Sequence, residues 1–136
     1  MISRDVNDWT VLIVDDEPDN LGVAQKVLSY GGADVHIARN GVEGLAILNQ
    51  LKPTFILLDL SMPEMDGWEM FQRARAQENF SDVPIIALTA HAMAGDKERI
   101  EEAGFDGYIP KPFRIKSFME DIQLAINEFN KRINKN

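Results

Sequence analysis

The stretch that decides the fold is VLIVDDEPDN, residues 11–20, in which four apolar residues run directly into Asp15, Asp16 and Glu17. A short, continuously apolar run rich in β-branched residues predicts a strand that is buried on both faces. Neighbouring carboxylates are costly at the end of such a strand unless protons or a cation neutralise them. The stretch therefore predicts a buried strand that delivers acidic side chains to a binding site.

Four more apolar runs follow, and segments with helical spacing separate them. The runs are Val35–Ala38, Phe55–Leu58, Ile85–Leu88 and a weaker one at Tyr108–Ile109. Five strands that alternate with five helices predict a parallel sheet with helices on both faces. We therefore expect an α/β fold with a doubly wound, five-stranded parallel sheet, in the form of a flavodoxin-like (βα)5 three-layer sandwich.

Glycines and capping residues mark the ends of the helical segments. The pairs concerned are Gly31–Gly32, Asn40–Gly41 and Ala103–Gly104. Asp66, which is followed three residues later by Glu69, predicts the start of the third helix. A long apolar stripe from Ile115 to about Ile133 predicts a fifth helix, most of which packs on the sheet.

Size and composition limit the function. The 136 residues, of which 45% are apolar, suffice for one domain. We expect the domain to span residues 10–130, with tails at 1–9 and 131–136. A formal net charge of −8 without a dense basic cluster argues against direct binding of nucleic acid or anionic membranes. The absence of cysteine excludes thiolate catalysis, and with no secretion signal we expect a cytoplasmic location.

Reactive side chains follow several of the predicted strands. Asp15 and Asp16 end the first strand, Asp59 the third, Thr89 the fourth and Lys111 the fifth. In open parallel sheets, ligands bind outside the carboxyl ends of the strands, so we expect these side chains to share one crevice. All-oxygen ligands suit Mg²⁺. Carboxylates beside Mg²⁺, a hydroxyl and a lysine predict a site that receives a phosphoryl group, with Asp59 as the nucleophile.

In these motifs the chain resembles the receiver domain of two-component response regulators, in particular the receivers of hybrid-kinase and phosphorelay systems and single-domain members of the CheY and DivK kind. The motifs are VLIVDDEPDN, ILLDLSMPEMDG, IIALTAHAM and GYIPKPF, which lie in this order between about residues 10 and 129. Each motif is weak by itself, but together, each at the end of a predicted strand, they are specific. The resemblance implies a signalling switch without enzymatic turnover of a separate substrate.

The resemblance also implies roles for individual residues. Asp59 corresponds to the phosphoacceptor, and Asp15, Asp16, Asp59 and the backbone carbonyl of Ser61 to the Mg²⁺ ligands. Thr89 and Lys111 correspond to residues that bind phosphoryl oxygens, and Tyr108 to an aromatic that switches with Thr89. Pro112 matches a proline whose preceding peptide bond is usually cis. From their positions just past Asp59 and Thr89, we further hypothesise that Ser61 and His91 set the rate of dephosphorylation.

The implied partners are a sensor histidine kinase or a histidine phosphotransfer protein upstream, and an effector protein downstream. The effector would bind the face of the fourth helix, fifth strand and fifth helix, with the chain a monomer or a phosphorylation-dependent dimer. One alternative is a pseudo-receiver that binds partners without phosphorylation. Another is a phosphatase of the haloacid dehalogenase type, but Ser61 stands where that family needs an acid. A flavin-binding domain of this fold is disfavoured because DDEPDN would repel the cofactor's phosphate.

Overall fold

The computed structural model describes residues 1–62, 64–90 and 94–134. The strands are β1 (Thr10–Val14), β2 (Asp34–Ala38), β3 (Phe55–Asp59), β4 (Ile85–Thr89) and β5 (Gly107–Pro110). The helices are α1 (Pro18–Tyr30), α2 (Gly41–Leu48), α3 (Gly67–Arg75), α4 (Ala94–Ala103) and α5 (Ile115–Asn134). All strands pair in parallel in the order β2-β1-β3-β4-β5. The predicted α/β sheet is confirmed.

Successive side chains of each strand pack on opposite faces of the sheet, which is the two-residue period of a strand. In β1, Val11 and Ile13 join the core cluster under α1 and α5, whereas Leu12 and Val14 join the cluster under α2, α3 and α4. All four side chains are completely buried. Both faces of the sheet are therefore covered, which explains why the strands read as continuous apolar runs.

The strand register aligns the ends that carry the polar residues. Val14 of β1 lies beside Leu58 of β3, so Asp15 and Asp59 follow at adjacent positions of the same edge. Asp59 in turn lies beside Leu88 of β4. The carboxyl ends of the central strands thus meet in the crevice that the sequence predicts.

The predicted helix boundaries are confirmed by their capping contacts. The side chain of Asn40 accepts a hydrogen bond from the amide of Glu43 at the start of α2, and the side chain of Asp66 does the same with Glu69 at the start of α3. Both bonds are 2.9 Å long. Gly32 follows α1 with a φ of 103°, a left-handed conformation that glycine adopts without steric cost.

The N-terminal segment packs against α5. The amide of Ile2 donates to Asn130 Oδ1 at 2.8 Å, and Asn130 Nδ2 donates back to the carbonyl of Ile2 at 2.9 Å. The ring of Trp9 is buried edge-on against Phe55. Helix α5 runs on to Asn134, so residues 1–9 and 131–134, which we expected to be tails, are ordered parts of the packed structure. Their place outside a functional domain at 10–130 stays a prediction.

Helix α5 is the longest of the described helices, with 20 residues. It buries Phe118, Ile122 and Ile126 against the sheet, and charged side chains lie on its outer face. Within the described residues, no helix combines the length and the apolar character that crossing a bilayer requires.

Candidate functional site

Two aspartates and one lysine form the centre of the site. Lys111 Nζ lies 2.9 Å from Asp15 Oδ2 and 3.2 Å from Asp59 Oδ2. Asp15 is fully buried and Asp59 is only 3% exposed. Two negative charges therefore share one positive charge in a place that water hardly reaches, where an unbalanced charge is most costly.

The backbone orients each carboxylate through its other oxygen. The amide of Glu17 donates to Asp15 Oδ1 at 2.9 Å, and the amide of Ser61 donates to Asp59 Oδ1 at 3.1 Å. In both cases the donor lies two residues after the aspartate, so the turn that ends the strand fixes the carboxylate. Asp15 Oδ2 and Asp59 Oδ2 are buried, and both lie in contact with the ammonium group of Lys111. Their compensation is the charge of Lys111.

Asp16 completes a group of carboxylates that can hold a cation. Oxygen atoms of Asp15, Asp16 and Asp59 all lie within 4.8 Å of one another. Asp16 is exposed, whereas the other two are buried, so the group opens to solvent on the side of Asp16. An all-oxygen set of this charge matches the ligands that Mg²⁺ prefers. Asp15 Oδ2 and Asp59 Oδ2 contact Lys111, and each keeps a further lone pair with which it can bind a metal ion.

The electrostatics of the site favour capture of positive charge. Burial and the nearby charge of Asp15 raise the pKa of Asp59 from 3.8 to about 7, although the Ser61 amide and Lys111 oppose the shift. Burial lowers the pKa of Lys111, but its contacts with Asp15 and Asp59 outweigh this and raise that pKa above its ordinary value. The lysine therefore stays charged at neutral pH, and the carboxylates still lack a full counter-charge.

The remaining predicted site residues lie around this centre. Thr89 is buried at the end of β4, and its carbonyl accepts a hydrogen bond of 2.8 Å from the amide of Lys111. The peptide bond between Lys111 and Pro112 is cis. Tyr108 lies farther down β5, opposite Ala87 of β4, and packs half-buried on the core under α2, α3 and α4. It therefore belongs to the neighbouring helix face and not to the carboxylate cluster.

Two candidate residues stand apart. His91 lies outside the described residues. Ser61 is exposed and contributes its amide to Asp59. Sequence reasoning missed Gly67, the first residue of α3, whose Cα faces the backbone of Asp59 and Leu60 at close range. The signal for Gly67 is its place in the motif MPEMDG, directly after the helix-capping Asp66.

Comparison with known proteins identifies the family. The family model of the response regulator receiver domain matches residues 11–123. The chain belongs to this family. The predicted resemblance is confirmed. The chain is therefore a receiver domain of two-component signalling. Receiver domains are signalling switches that interact with histidine kinases and downstream effectors, and they are generally not enzymes.

Relatives of this receiver domain include regulators of nearly the same length. The chain is 34% identical over 119 residues to the polar-differentiation response regulator DivK of Brucella anthropi, across 88% of this chain and 97% of that protein. DivK of Brucella abortus strain S19 matches with the same identity and coverage. The similarity therefore extends over almost the whole of these proteins.

Solved structures of receiver domains share the fold. The chemotaxis response regulator CheY4 of Vibrio cholerae superposes with a TM-score of 0.80 at 28% identity, over 85% of this chain and 97% of that one. The receiver domain of the sensor histidine kinase PA1611 from Pseudomonas aeruginosa PAO1 has a TM-score of 0.77 at 34% identity, over 88% and 98%. That structure has a magnesium ion coordinated in its active site cleft.

Proposed function

We propose that this receiver domain is a phosphorylation switch in which Asp59 accepts a phosphoryl group from a sensor histidine kinase or a histidine phosphotransfer protein. The observation that carries the proposal is the contact of Lys111 with both Asp15 and Asp59, at the carboxyl end of a central strand. A buried carboxylate beside an ammonium group and a second carboxylate has the parts that phosphoryl transfer needs, namely a nucleophile and charges that position it.

We assign a Mg²⁺ site to the side chains of Asp15, Asp16 and Asp59, with the backbone carbonyl of Ser61 as a further ligand. Oxygen atoms of the three carboxylates lie within 4.8 Å of one another, and Lys111 supplies only one positive charge to Asp15 and Asp59. When bound, Mg²⁺ offsets the negative charge of the carboxylates and of the incoming phosphoryl oxygens.

The transfer step uses Asp59 as the nucleophile. A carboxylate oxygen of Asp59 attacks the phosphorus of a phosphohistidine, a P–O bond forms, the P–N bond breaks, and the donor imidazole keeps the electron pair. Asp15 contacts Lys111 at 2.9 Å and holds the ammonium group at the acceptor. Lys111 and the Thr89 hydroxyl then bind the transferred phosphoryl oxygens. This arrangement is electrostatic positioning, the usual means of catalysing phosphoryl transfer.

The signal leaves the site through the face of α4, β5 and α5. Thr89 lies at the end of β4, and Tyr108 lies on the neighbouring β5. Tyr108 lines a groove of about 800 Å³ with Leu124 and Ala125 of α5. We propose that movement of Thr89 and Tyr108 on phosphorylation remodels this groove for an effector protein, or for a second copy of the chain. We expect this to occur in the cytoplasm.

Intact-protein mass spectrometry with acetyl phosphate tests the proposal. The wild-type chain should gain one phosphoryl group in Mg²⁺, and none when the metal is chelated. Asp59→Asn should gain none. Asp66→Asn is the matched control, because it removes one carboxylate nearby while asparagine still caps α3; it should be phosphorylated like wild type. Failure of the wild-type chain to form an adduct under any condition would contradict the proposal and support a pseudo-receiver.

The hypothesis that His91 and Ser61 set the lifetime of the phosphoryl group stays a prediction. After removal of acetyl phosphate, the decay of the adduct can be followed by the same mass measurement. His91→Ala and Ser61→Ala should each change the decay rate without changing the number of groups added. A decay rate equal to that of wild type in both variants would remove these residues from the mechanism.

A further inference from the structure

Gly67, at the start of α3, lies directly against the backbone that carries the phosphoacceptor. Its amide donates to the carbonyl of Leu60 at 3.2 Å, and Asp66 caps the helix just before it. The first turn of α3 is therefore hydrogen-bonded to Leu60, the residue that follows Asp59. This contact links α3 to the end of β3, which carries Asp59.

There is no room for a side chain at this position. A Cβ atom added to Gly67 would overlap the carbonyl oxygen of Asp59, and would lie 2.7 Å from Leu60 Cα and 2.9 Å from the carbonyl carbon of Asp59. Each of these atoms belongs to the backbone and cannot turn aside as the end of a side chain can. A larger residue would therefore push α3 and the segment 59–61 apart.

The need for glycine here is one of space. Gly67 does not have a positive φ, in contrast to Gly32 and Gly104, whose φ is 103°. Alanine can adopt the backbone conformation of residue 67, so a substitution would act through the contact with Asp59 and Leu60.

We propose that Gly67 is a positioning residue for the phosphoacceptor, an inference that rests on the function proposed above. The close approach of α3 fixes the peptide between Asp59 and Leu60. This peptide sets the direction of the Asp59 carboxylate and places Ser61, whose amide holds Asp59 Oδ1 at 3.1 Å. Displacing it would disturb the acceptor carboxylate and the Ser61 carbonyl together, and both belong to the proposed Mg²⁺ site.

Gly44 in α2 provides a matched control. A Cβ atom there would lie 2.7 Å from Met70 Cε, 2.9 Å from Met70 Sδ and 3.2 Å from Val14 Cγ2. The overlap is also severe, but the neighbours are side chains, and methionine is flexible enough to move. Gly44→Ala therefore adds the same methyl group to a buried helical glycine without touching the backbone of Asp59.

The experiment compares Mg²⁺ affinity and acetyl phosphate reactivity in wild type, Gly67→Ala and Gly44→Ala, at a temperature where each is folded by circular dichroism. We expect Gly67→Ala to bind Mg²⁺ roughly tenfold more weakly, as is usual when a residue supporting metal ligands is changed, and to be phosphorylated more slowly. Gly44→Ala should match wild type in both measurements even if its melting temperature falls. Affinity and rate within twofold of wild type in Gly67→Ala would overturn the inference.

A loss of folding in Gly67→Ala must be separated from a loss of positioning. Gly22→Ala supplies a stabilised background, because Gly22 lies inside α1 and a Cβ atom there meets nothing within 4 Å. The double variant is then measured with sucrose as a stabilising osmolyte. A double variant that folds and binds Mg²⁺ weakly supports the inference. One that stays unfolded overturns it, because Gly67 would then serve the whole fold.

The wild-type chain separates this inference from the proposed function. If wild type neither binds Mg²⁺ nor reacts with acetyl phosphate, the proposed function fails and the inference falls with it. If wild type does both and Gly67→Ala equals it, only the positioning role is overturned.

Discussion

Two clusters of charge lie at opposite ends of the strands: the one at the carboxyl ends is buried, and the one at the amino ends is partly exposed. The carboxyl-edge cluster consists of Asp15, Asp59 and Lys111. The amino-edge cluster consists of Arg75, Asp106 and Arg132, where Asp106 immediately precedes β5. Both place carboxylates where little water reaches them, yet only one is short of positive charge and of hydrogen-bond donors.

The amino-edge cluster satisfies its carboxylate fully. Asp106 Oδ2 accepts bonds of 2.9 Å from Arg75 Nη2 and from the amide of Ile85, and Oδ1 accepts one of 3.2 Å from Arg132 Nη2. Arg75 Nη1 also donates to the carbonyls of residues 80 and 83, at 2.8 and 2.7 Å. This cluster joins the turn after α3 to the starts of β4 and β5, and both carboxylate oxygens of Asp106 accept a hydrogen bond from an arginine.

The comparison shows that burial alone does not mark a functional carboxylate. Burial is the leading cause that raises the pKa of Asp59 and of Asp106. At Asp106, Arg75 and the Ile85 amide donate to Oδ2 and Arg132 donates to Oδ1, whereas at Asp59 a second carboxylate competes for one lysine. The unbalanced cluster is the one to which we assign the cation and the phosphoryl group, and we expect the balanced cluster to stabilise the fold.

Removing Arg75 should break the amino-edge cluster and have the largest effect on stability. Arg75→Met leaves the partly buried Asp106 with a half-exposed arginine as its remaining ion-pair partner, and removes the donor from the carbonyls of residues 80 and 83. We expect the free energy of unfolding to fall by about 3–5 kcal/mol in urea titrations. Phosphorylation of the folded variant should be unchanged. A loss of less than about 1 kcal/mol would show that the two clusters do not differ as described.

Removing the charge of Asp59 should raise the free energy of unfolding, whereas removing Arg75 should lower it. Asp59→Asn relieves the repulsion between two buried carboxylates, so we expect the free energy of unfolding without Mg²⁺ at pH 8 to rise by roughly 2 kcal/mol. Asp106→Asn, its counterpart at the amino edge, should instead lose stability. A loss of stability in both variants would contradict the idea that the carboxyl-edge cluster is unbalanced.

The pH dependence of the unfolding free energy tests the sign of the Asp59 contribution directly. The pKa of Asp59 is raised from 3.8 to about 7 in the folded state, so the folded chain holds this proton more tightly than the unfolded chain. The contribution of Asp59 to stability is therefore fully present below pH 3.8 and is lost as the pH rises to about 7. The difference in unfolding free energy between wild type and Asp59→Asn, without metal, should follow this curve. A difference independent of pH would contradict it.

Mg²⁺ should stabilise the carboxyl-edge cluster by a smaller amount. At a metal concentration ten times the dissociation constant, binding to the folded state raises the unfolding free energy by about 1.4 kcal/mol. We expect this gain in wild type and in Arg75→Met, and a much smaller gain in Asp59→Asn. Equal gains in all three chains, measured by urea titration, would mean that the metal acts elsewhere.

Arg132 should have the smallest effect, because its side chain is 51% exposed and water can replace it at Asp106. Arg132→Ala should lower the free energy of unfolding by less than about 1 kcal/mol. Comparison with Arg75→Met in the same urea titrations then separates the exposed partner of Asp106 from the buried one. Equal losses in the two variants would contradict this division.

The sequence predicts the carboxyl-edge cluster better than the amino-edge one. Asp15, Asp59 and Lys111 each end an apolar run, and parallel strands bring such ends together whatever the details of packing. Arg75 fits the spacing of the third helix, but its partner Asp106 lies 31 residues away and ends no strand. No local sequence pattern predicts the contact between Arg75 and Asp106. The choice of Phe55 as the packing partner of Trp9 likewise has no local signal, because it depends on tertiary packing.

The most direct test of the account is to locate the phosphoryl group. Sodium borodeuteride reduces an aspartyl phosphate to a deuterated homoserine, which tandem mass spectrometry then assigns to one residue. After reaction with acetyl phosphate and Mg²⁺, we predict the deuterium at position 59 alone. Deuterated homoserine at position 15 or 16, or none in a chain that had gained a phosphoryl group, would contradict the central claim that Asp59 is the acceptor.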